Sequence, residues 1–238
     1  MSDKGKLYLF PNTLGDSNLE DIIPAGNLKK TLGIKHFIVE DLRNARRFLS
    51  KCGWKGQIEE LEFYELNEHS RATDIINYLK QADNGLDIGL LSDAGTPCVA
   101  DPGADIVAMA HEKGIQVIPL VGPSSILLSL MASGFNGQNF AFLGYLPRDR
   151  KQREKTIKEL ERKIYKEHQT QIFIEAPYRN NQMLESLIHT CSAQTKICIA
   201  RDITLEDELI ISQTNSQWKK NKTHIDLHKR NTIFLLYK

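Results

Sequence analysis

The sequence predicts an α/β fold made of two consecutive α/β domains. Short apolar runs alternate with amphipathic segments through the first half of the chain, which is the rhythm of strand and crossover helix in a parallel sheet. Near residue 144 the pattern changes to a basic, highly charged segment, followed by apolar runs with fewer long helices between them. Polar turns also follow directly after the apolar runs, where an open parallel sheet binds its ligands.

The first domain contains five apolar runs that are strand candidates: KLYLF, HFIVE, LEFYEL, DIGLL and IQVIPL. Helical periodicity between them predicts helices at residues 41–51, 71–81, 104–113 and 124–133. The last of these follows a Gly-Pro pair, which favours a helix start.

The second domain is predicted to be an α+β domain that begins near residue 143, so that the domains span residues 1–142 and 143–238. A charged helix starts within GYLPRDRKQREK, and strand candidates follow in QIFIEA, KICIARD, DELIIS and NTIFLLY. No internal repeat or low-complexity segment is found in the chain.

Composition limits the function classes. The chain has 238 residues, 41% apolar and 26% charged, which is ordinary globular composition. Lys and Arg number 31 against 30 Asp and Glu, so an RNA partner would have to be held by a local basic patch. The N-terminus lacks the apolar core of a signal peptide, and no run reaches the roughly 20 apolar residues of a membrane span. We therefore expect a cytoplasmic protein with no membrane partner.

Cysteine and histidine patterns favour neither disulfides nor a metal. The four cysteines form no CxxC pair and are predicted to be reduced thiols. His224 and His228 form an HxxxH pattern, but their segment alternates like a strand and offers little support for a third ligand, so no metal is expected.

Two turns at predicted strand ends are the candidate binding site. They are LLSDAGTPCVADPG at residues 90–103 and VGPSS at residues 121–125. Glycines there can bring backbone close to a ligand, and Asp93 suits a ligand with hydroxyl or cationic groups. The chain contains no GxG and no GxxxxGK[ST], which argues against a dinucleotide or a triphosphate. Either turn alone is also typical of a strand end with a purely structural role.

These segments resemble the tetrapyrrole methylase superfamily of S-adenosylmethionine-dependent methyltransferases. The resemblance is carried by LLSDAGTPCVADPGADIV, IQVIPLVGPSSILLSLMASGF, FAFLGYLPR, IFIEAPYR and ARDIT, and more weakly by LYLFPNTLG and IVEDLRNARRFL. It covers nearly the whole chain and looks most like the branch that methylates a ribose 2′-hydroxyl of small-subunit ribosomal RNA. It implies S-adenosylmethionine as methyl donor, ribosomal RNA or the small ribosomal subunit as partner, and a homodimer.

The resemblance also implies a donor site in a cleft between the two α/β domains. By motif match, the donor-binding residues are Pro11, Asp93, Ala94, Gly95, Thr96, Gly122, Pro123, Ser124, Ser125, Glu175, Ala176 and Pro177.

A ribose hydroxyl is a poor nucleophile, so a base that accepts its proton would add roughly 10²- to 10⁴-fold to the rate. Acidic residues follow the second and third strands, at Glu40, Asp41, Glu65 and Glu68. Glu68 is the first choice for the catalytic base, and Asp41 is the second candidate. The alternative is a solvated helix start, where the helix dipole favours acidic residues anyway.

Local basic clusters could bind RNA phosphates. Arg43, Arg46 and Arg47 recur at helical spacing and are predicted to contact RNA. A second cluster contains Arg148, Arg150, Lys151 and Arg153. Either cluster could instead be a solvated helix face.

Three motifs differ from the RNA-directed branch. The turn that resembles TPIGNLED reads PNTLGDSNLED, the one that resembles EDTRHT reads EDLRNARR, and the one that resembles HEHNE reads YELNE. The chain also ends without the basic C-terminal extension common in that branch. Two alternatives therefore remain: a methyltransferase acting on a tetrapyrrole or other small molecule, and a catalytically inactive protein that binds S-adenosylmethionine.

Overall fold

A computed structural model of the protein describes residues 4–66, 70, 75–221 and 225–238. The chain divides into two compact units, Met1–Ser124 and Ser125–Lys238. Each unit is built around one five-stranded sheet with helices. The predicted α/β class is therefore confirmed.

In the first unit, strands alternate with helices. The described elements are β1 (Leu7–Phe10), α1 (Leu19–Ile22), α2 (Ala25–Thr31), β2 (His36–Val39), α3 (Leu42–Leu49), β3 (Glu62–Glu65), α4 (Lys80–Asp83), β4 (Ile88–Leu91), α5 (Ala104–Glu112) and β5 (Val117–Pro119). The sheet has the strand order β3-β2-β4-β1-β5, and all its pairs are parallel. Every strand candidate of the first domain thus forms a strand.

The first sheet buries side chains on both faces, which explains its nearly continuous apolar strands. Along β1, Tyr8 and Phe10 pack into one core cluster, together with Phe37 of β2. Leu7 points into the opposite cluster, which also contains Ile38. Successive side chains of a strand alternate between faces, so each run supplies both cores.

Helix α3 covers one face of this sheet with an apolar stripe. Ala45, Phe48 and Leu49 are buried in the same cluster as Tyr8 and Phe10. The arginines between them are exposed, because they lie on the opposite side of the helix.

The second unit contains a mixed sheet. Its elements are α6 (Ser125–Ser133), β6 (Phe140–Tyr145), α7 (Arg150–Glu167), β7 (Thr170–Ile174), a 3₁₀ turn (Pro177–Arg179), α8 (Asn180–Thr190), β8 (Lys196–Arg201), β9 (Leu209–Thr214), α9 (Asn215–Asn221) and β10 (Thr232–Tyr237). The strand order is β6-β7-β10-β8-β9. Strands β6 and β7 pair in parallel, and the other pairs are antiparallel.

The division between the units falls after Ser124, earlier than the boundary that the charged segment predicts. Helix α6 contacts strands β8, β9 and β10. The Ser212 hydroxyl also donates a hydrogen bond of 2.9 Å to the Ser133 carbonyl oxygen. These contacts attach α6 to the second sheet, although its sequence directly continues the motif after β5.

The predicted helices at residues 41–51, 104–113 and 124–133 correspond to α3, α5 and α6, which end within two residues of the expected positions. Past α3 the chain continues in a π-helical turn, Ser50–Trp54. Residues 71–74 of the fourth predicted helix lie outside the described residues; its described part forms turns that lead into α4.

All four cysteines are free thiols, and burial raises the pKa of Cys52, Cys191 and Cys198 to about 12. These three thiols therefore stay protonated at neutral pH. Along the described ranges, no helix is both long enough and apolar enough to cross a membrane.

We expect Phe234→Ala to destabilise the second unit by about 3–5 kcal/mol, because it leaves a cavity against Phe173. The two rings stack with centroids 5.8 Å apart, and both side chains are fully buried. Urea unfolding in a Trp54→Phe background would follow Trp218, which lies in the same cluster. Phe140→Ala is the control, since Phe140 is 38% exposed; an equal loss there would contradict the packing argument.

Candidate active site

The first sheet has one position where the connections that follow two neighbouring strands diverge. Strands β2 and β4 are neighbours; the chain leaves β2 toward β3 at one edge of the sheet and leaves β4 toward β5 at the other edge. Loops that diverge in this way open a crevice at the carboxyl ends of the strands, where open α/β sheets bind ligands. The turn SDAGTP follows β4 at this position.

Asn12 joins the loop after β1 to the turn after β4. Its backbone N–H donates to the Gly95 carbonyl at 2.9 Å, and the Gly95 N–H donates back to the Asn12 carbonyl at 3.2 Å. The Asn12 side-chain amide donates to the carbonyl oxygens of Ser92 and Asp93, at 3.2 and 3.1 Å. Asn12 is only 7% exposed, so these hydrogen bonds hold the two loops together away from water.

Two glycines allow the loops to approach one another. Gly95 has φ +67°, a backbone conformation that residues with a side chain rarely adopt. A Cβ atom there would lie 3.0 Å from Leu14 Cδ2. A Cβ atom on Gly122 would lie 2.2 Å from Pro11 Cγ. At both glycines, the position that a Cβ atom would take is thus already crowded by protein atoms. Both therefore pack the ends of β1, β4 and β5 together.

The end of β4 is tied to the Asp-Pro-Gly turn that follows it. The Ser92 hydroxyl donates to an Asp101 carboxylate oxygen at 2.5 Å and lies 2.8 Å from the Ala94 carbonyl oxygen. Burial raises the pKa of Asp101, and the charge of Asp93 raises it further, while the Ser92 hydrogen bond lowers it. The serine and aspartates of this segment thus build the turn itself.

Acidic side chains accumulate at the carboxyl ends of β2 and β4. Burial raises the pKa of Glu40, and the nearby charges of Asp101, Asp93 and Asp41 raise it further. The free protein therefore holds several carboxylates in mutual repulsion at this edge of the sheet.

Asp41 begins helix α3. Its carboxylate accepts a hydrogen bond of 2.7 Å from the Asn44 backbone N–H, which makes it the N-cap. The Asn44 side-chain amide in turn donates to Asp93 Oδ2 at 2.9 Å. Helix α3 thereby fixes the orientation of the Asp93 carboxylate.

A pocket of about 340 Å³ opens beside Asp93, within the usual range for small-molecule sites. It is formed by the β1–α1 loop, helix α3 with the turn after it, and the start of the SDAGTP turn. Leu14, Leu19 and Phe48 supply apolar surface. Arg47 and Lys51 supply positive charge, and Lys51 forms an ion pair of 2.9 Å with Asp16.

The predicted donor residues occupy several positions. Asp93 and Ala94 line the pocket, whereas Gly95 is buried beneath it and Thr96 is half-buried in the same turn. At the end of β5, Gly122 contacts the buried Pro11, with Pro123 and Ser124 following it, and Ser125 is the first residue of α6.

In the second unit, the predicted donor residues follow β7. Glu175 is 4% exposed, and its carboxylate accepts hydrogen bonds from the Ala176 backbone N–H and the Arg179 guanidinium. Pro177 is exposed and begins the 3₁₀ turn. The role of these residues in donor binding stays a prediction.

Of the two residues predicted as catalytic base, the structure describes only Asp41. Glu68 lies outside the described residues, as does His224 of the HxxxH pattern. Asp41 is exposed, and its carboxylate caps α3. Asp41 therefore has a structural role at the start of α3, and its role as base stays a prediction.

The arginines predicted to contact RNA differ in their surroundings. All three are exposed on α3. The Arg46 guanidinium lies over the Phe63 ring, 5.7 Å from its centroid. Of the three, Arg47 alone lines the pocket beside Asp93, whereas Arg43 does not.

In the second basic cluster, two of the arginines make contacts within the protein. Arg153 is 5% exposed and donates to the Ser186 hydroxyl and the Arg148 carbonyl oxygen. Arg150 pairs with Glu154 at 2.9 Å.

The sequence interpretation missed Asn12, Asn44 and Asp101. Asn12 stands directly after a predicted strand, and Asn44 lies one turn into a predicted helix. The sequence therefore indicates where each residue lies in the fold, but not which residue it contacts. Their partners are 49 to 83 residues away in the chain, and no local pattern marks that pairing.

A sequence model of the family described as Tetrapyrrole (Corrin/Porphyrin) Methylases matches residues 35–217. The protein is an S-adenosylmethionine-dependent methyltransferase. It belongs to the tetrapyrrole methylase family, because this match covers most of the chain.

Curated relatives match nearly the whole chain. The chain is 33% identical to "Ribosomal RNA small subunit methyltransferase I" of Bacillus subtilis, over 91% of this chain and 70% of the relative. The protein of that name in Thermotoga maritima is 32% identical, over 92% of this chain and 94% of the relative. The one in Vibrio cholerae is 31% identical, over 86% of this chain and 67% of the relative.

Solved structures share the fold. The methyltransferase CobJ aligns with a TM-score of 0.62 at 19% identity, over 98% of this chain and 94% of the other. A uroporphyrin-III C-methyltransferase from Thermus thermophilus, in complex with S-adenosyl homocysteine, aligns with a TM-score of 0.58 at 14% identity, over 98% of both chains.

Replacing Asp41 should separate its capping role from its charge. We expect Asp41→Ala to lower the free energy of unfolding by about 1 kcal/mol, because α3 loses its N-cap. Asp41→Ser keeps a side-chain acceptor and should stay near wild type in thermal unfolding. Equal losses in both variants would show that the carboxylate, and not the cap, stabilises the fold here.

Glu40→Gln should make the protein more stable than wild type at pH 7. The folded state raises the pKa of Glu40 above 4.5, so ionisation of Glu40 costs stability as the pH rises through that raised value. The advantage of the variant should therefore disappear as the pH falls toward 4.5. Thermal unfolding across this pH range checks this, with the exposed Glu20→Gln as control; the same pH dependence in the control would contradict the assignment.

Proposed function

We propose that this methyltransferase transfers a methyl group from S-adenosylmethionine to a ribose 2′-hydroxyl of small-subunit ribosomal RNA. The observation that carries the proposal is the 31–33% identity to proteins named ribosomal RNA small subunit methyltransferase I, over most of this chain. The pocket beside Asp93 supports it, because one lining combines a carboxylate, a cationic side chain and apolar surface.

The donor, in this proposal, is held by the turns after β4 and β5. Asp93 to Thr96 and Gly122 to Ser125 would contact it together with Pro11, and Glu175 to Pro177 would contribute from the second unit. These residues suit S-adenosylmethionine, because the Asp93 carboxylate is held in place by Asn44 and can accept hydrogen bonds from hydroxyl or amino groups. When bound, S-adenosylmethionine supplies a methyl group already activated for transfer.

The chain's own contribution is then mainly positioning. Holding the acceptor oxygen in line with the methyl group can supply roughly 7 to 11 kcal/mol of barrier reduction. A base that takes the hydroxyl proton adds roughly 10²- to 10⁴-fold, and we propose Glu68 or Asp41 for this role. Because Asp41→Ser keeps the cap and removes the carboxylate, a rate loss of that size in this variant supports Asp41 as base, and an unchanged rate leaves Glu68.

Further parts of the proposal concern partners. The RNA contacts would come from α3, which carries Arg43, Arg46 and Arg47. The homodimer and the cytoplasmic location implied at the level of sequence stay predictions.

The acceptor can be identified by tritium transfer from methyl-labelled S-adenosylmethionine into an extract of cells that lack this protein. We expect the label in RNA and, after alkaline hydrolysis, in one resistant dinucleotide, since 2′-O-methylation protects the adjacent phosphodiester. Label in solvent-extractable pigment would instead support methylation of a tetrapyrrole or other small molecule. No transfer despite donor binding would support an inactive S-adenosylmethionine-binding protein.

Asp93→Ala should abolish donor binding in titration calorimetry, because it removes the carboxylate that Asn44 orients toward the site. The control is Asp105→Ala, which removes an exposed carboxylate at the start of α5. An unaltered affinity of Asp93→Ala for S-adenosylmethionine would contradict the assignment of the donor site.

A further inference from the structure

The three arginines of α3 are equivalent in sequence spacing but not in structure. Arg46 is held over Phe63, and Arg43 lies away from the pocket lining. Arg47 lines the pocket that also contains Asp93. In the described parts of the chain, no carboxylate lies within ion-pair distance of Arg47, whereas its pocket neighbour Lys51 is paired with Asp16 at 2.9 Å. Asp16 also attracts Arg47 at longer range, but Arg47 is the pocket cation with which no described carboxylate pairs directly.

A second observation concerns hydrogen bonding in the same pocket. Ser17 is one of the lining residues, and its hydroxyl oxygen is buried with no hydrogen-bond partner among the described residues. A buried polar atom without a partner costs free energy, and a bound polar ligand is one of the ways in which such atoms are satisfied.

The lining therefore offers three kinds of contact within one pocket. Arg47 can bind a phosphate in bidentate geometry, the Asp93 carboxylate can bind hydroxyls, and Phe48 with its leucine neighbours supplies apolar surface. A nucleotide carries these same three features: a phosphate, a ribose and an apolar base face. At about 340 Å³ the pocket suits a single unstacked nucleotide and excludes a duplex.

We propose that the pocket formed by the β1–α1 loop, helix α3 and Asp93 receives the acceptor nucleotide of an RNA, and that Arg47 binds its phosphate. This inference rests on the proposed function, and it names the place and the contact by which that function selects its substrate.

The test is RNA binding as a function of salt, with protein-free small-subunit ribosomal RNA as the probe. We expect Arg47→Ala to weaken binding about tenfold, and to reduce the slope of log affinity against log salt by about 0.7, the value for one contact to single-stranded RNA. Arg47→Lys should keep the slope, because it keeps the charge. Arg43→Ala should have a smaller effect, and Lys29→Ala, on α2 and outside the pocket lining, should have none.

Donor affinity and thermal unfolding of each variant should match wild type, which separates loss of RNA contact from loss of structure. Wild-type RNA affinity and slope in Arg47→Ala would overturn the inference, as would an equal loss in Lys29→Ala. If wild type binds RNA through Arg47 but transfers no methyl group to it, the proposed function fails, and of the inference only the contact between Arg47 and an RNA phosphate stands. If wild type methylates RNA and Arg47→Ala leaves binding unchanged, the inference alone fails.

Discussion

The site depends on the pairing of Asn12 with the turn after β4. Fixing a loop residue costs roughly 1–2 kcal/mol of backbone entropy, so a chain does not hold two exposed strand-end loops in one arrangement without compensating contacts. Asn12 supplies two backbone and two side-chain hydrogen bonds to residues 92–95. Because these bonds are buried, each lost partner would leave a polar group without water. The position of Asp93, and with it one wall of the pocket, follows from this pairing.

A second constraint is the repulsion among the carboxylates near Asp93. Burial raises the pKa of Glu40 and this repulsion raises it further, so the free protein keeps Glu40 ionised only at a cost in stability. A cationic ligand near Asp93 would offset part of that cost. The donor in the proposed function carries a positive sulfonium, so the same charges that destabilise the free site would favour the bound state. Arg47 lies in the same pocket lining and gives it a cationic part that suits phosphate, whereas Lys51 is paired with Asp16.

Most strands and the helices α3, α5 and α6 could be predicted from the sequence, because the buried sheets require continuous apolar runs and these helices show their own periodicity. Strand β6 (Phe140–Tyr145) and helix α8 (Asn180–Thr190) were not predicted. The carboxyl-end turns could also be located, since Asp93 and Gly95 stand directly after β4. What local pattern does not contain is the partner of each polar residue. Asn12 and Asp101 both look like ordinary turn residues, and only the strand order brings Asn12 to the β4 turn. Helix α6 shows the same limit: its sequence continues the β5 motif, but its contacts are with the second sheet.

The position of Asn44 bears on the motifs that depart from the family pattern. In EDLRNARR, Asn44 stands where the resembling motif EDTRHT has histidine. Here the Asn44 amide donates to Asp93 at 2.9 Å, which is a bond that an imidazole N–H at this position could also make. A hydrogen-bond donor to the Asp93 carboxylate is therefore present at this position. Compared with histidine, asparagine also lacks a group that would titrate near pH 6.5, since an amide carries no proton equilibrium in this range. The orientation of Asp93 is thus maintained by a hydrogen bond whose donor does not change with pH, which makes the loss of the motif histidine compatible with an active site.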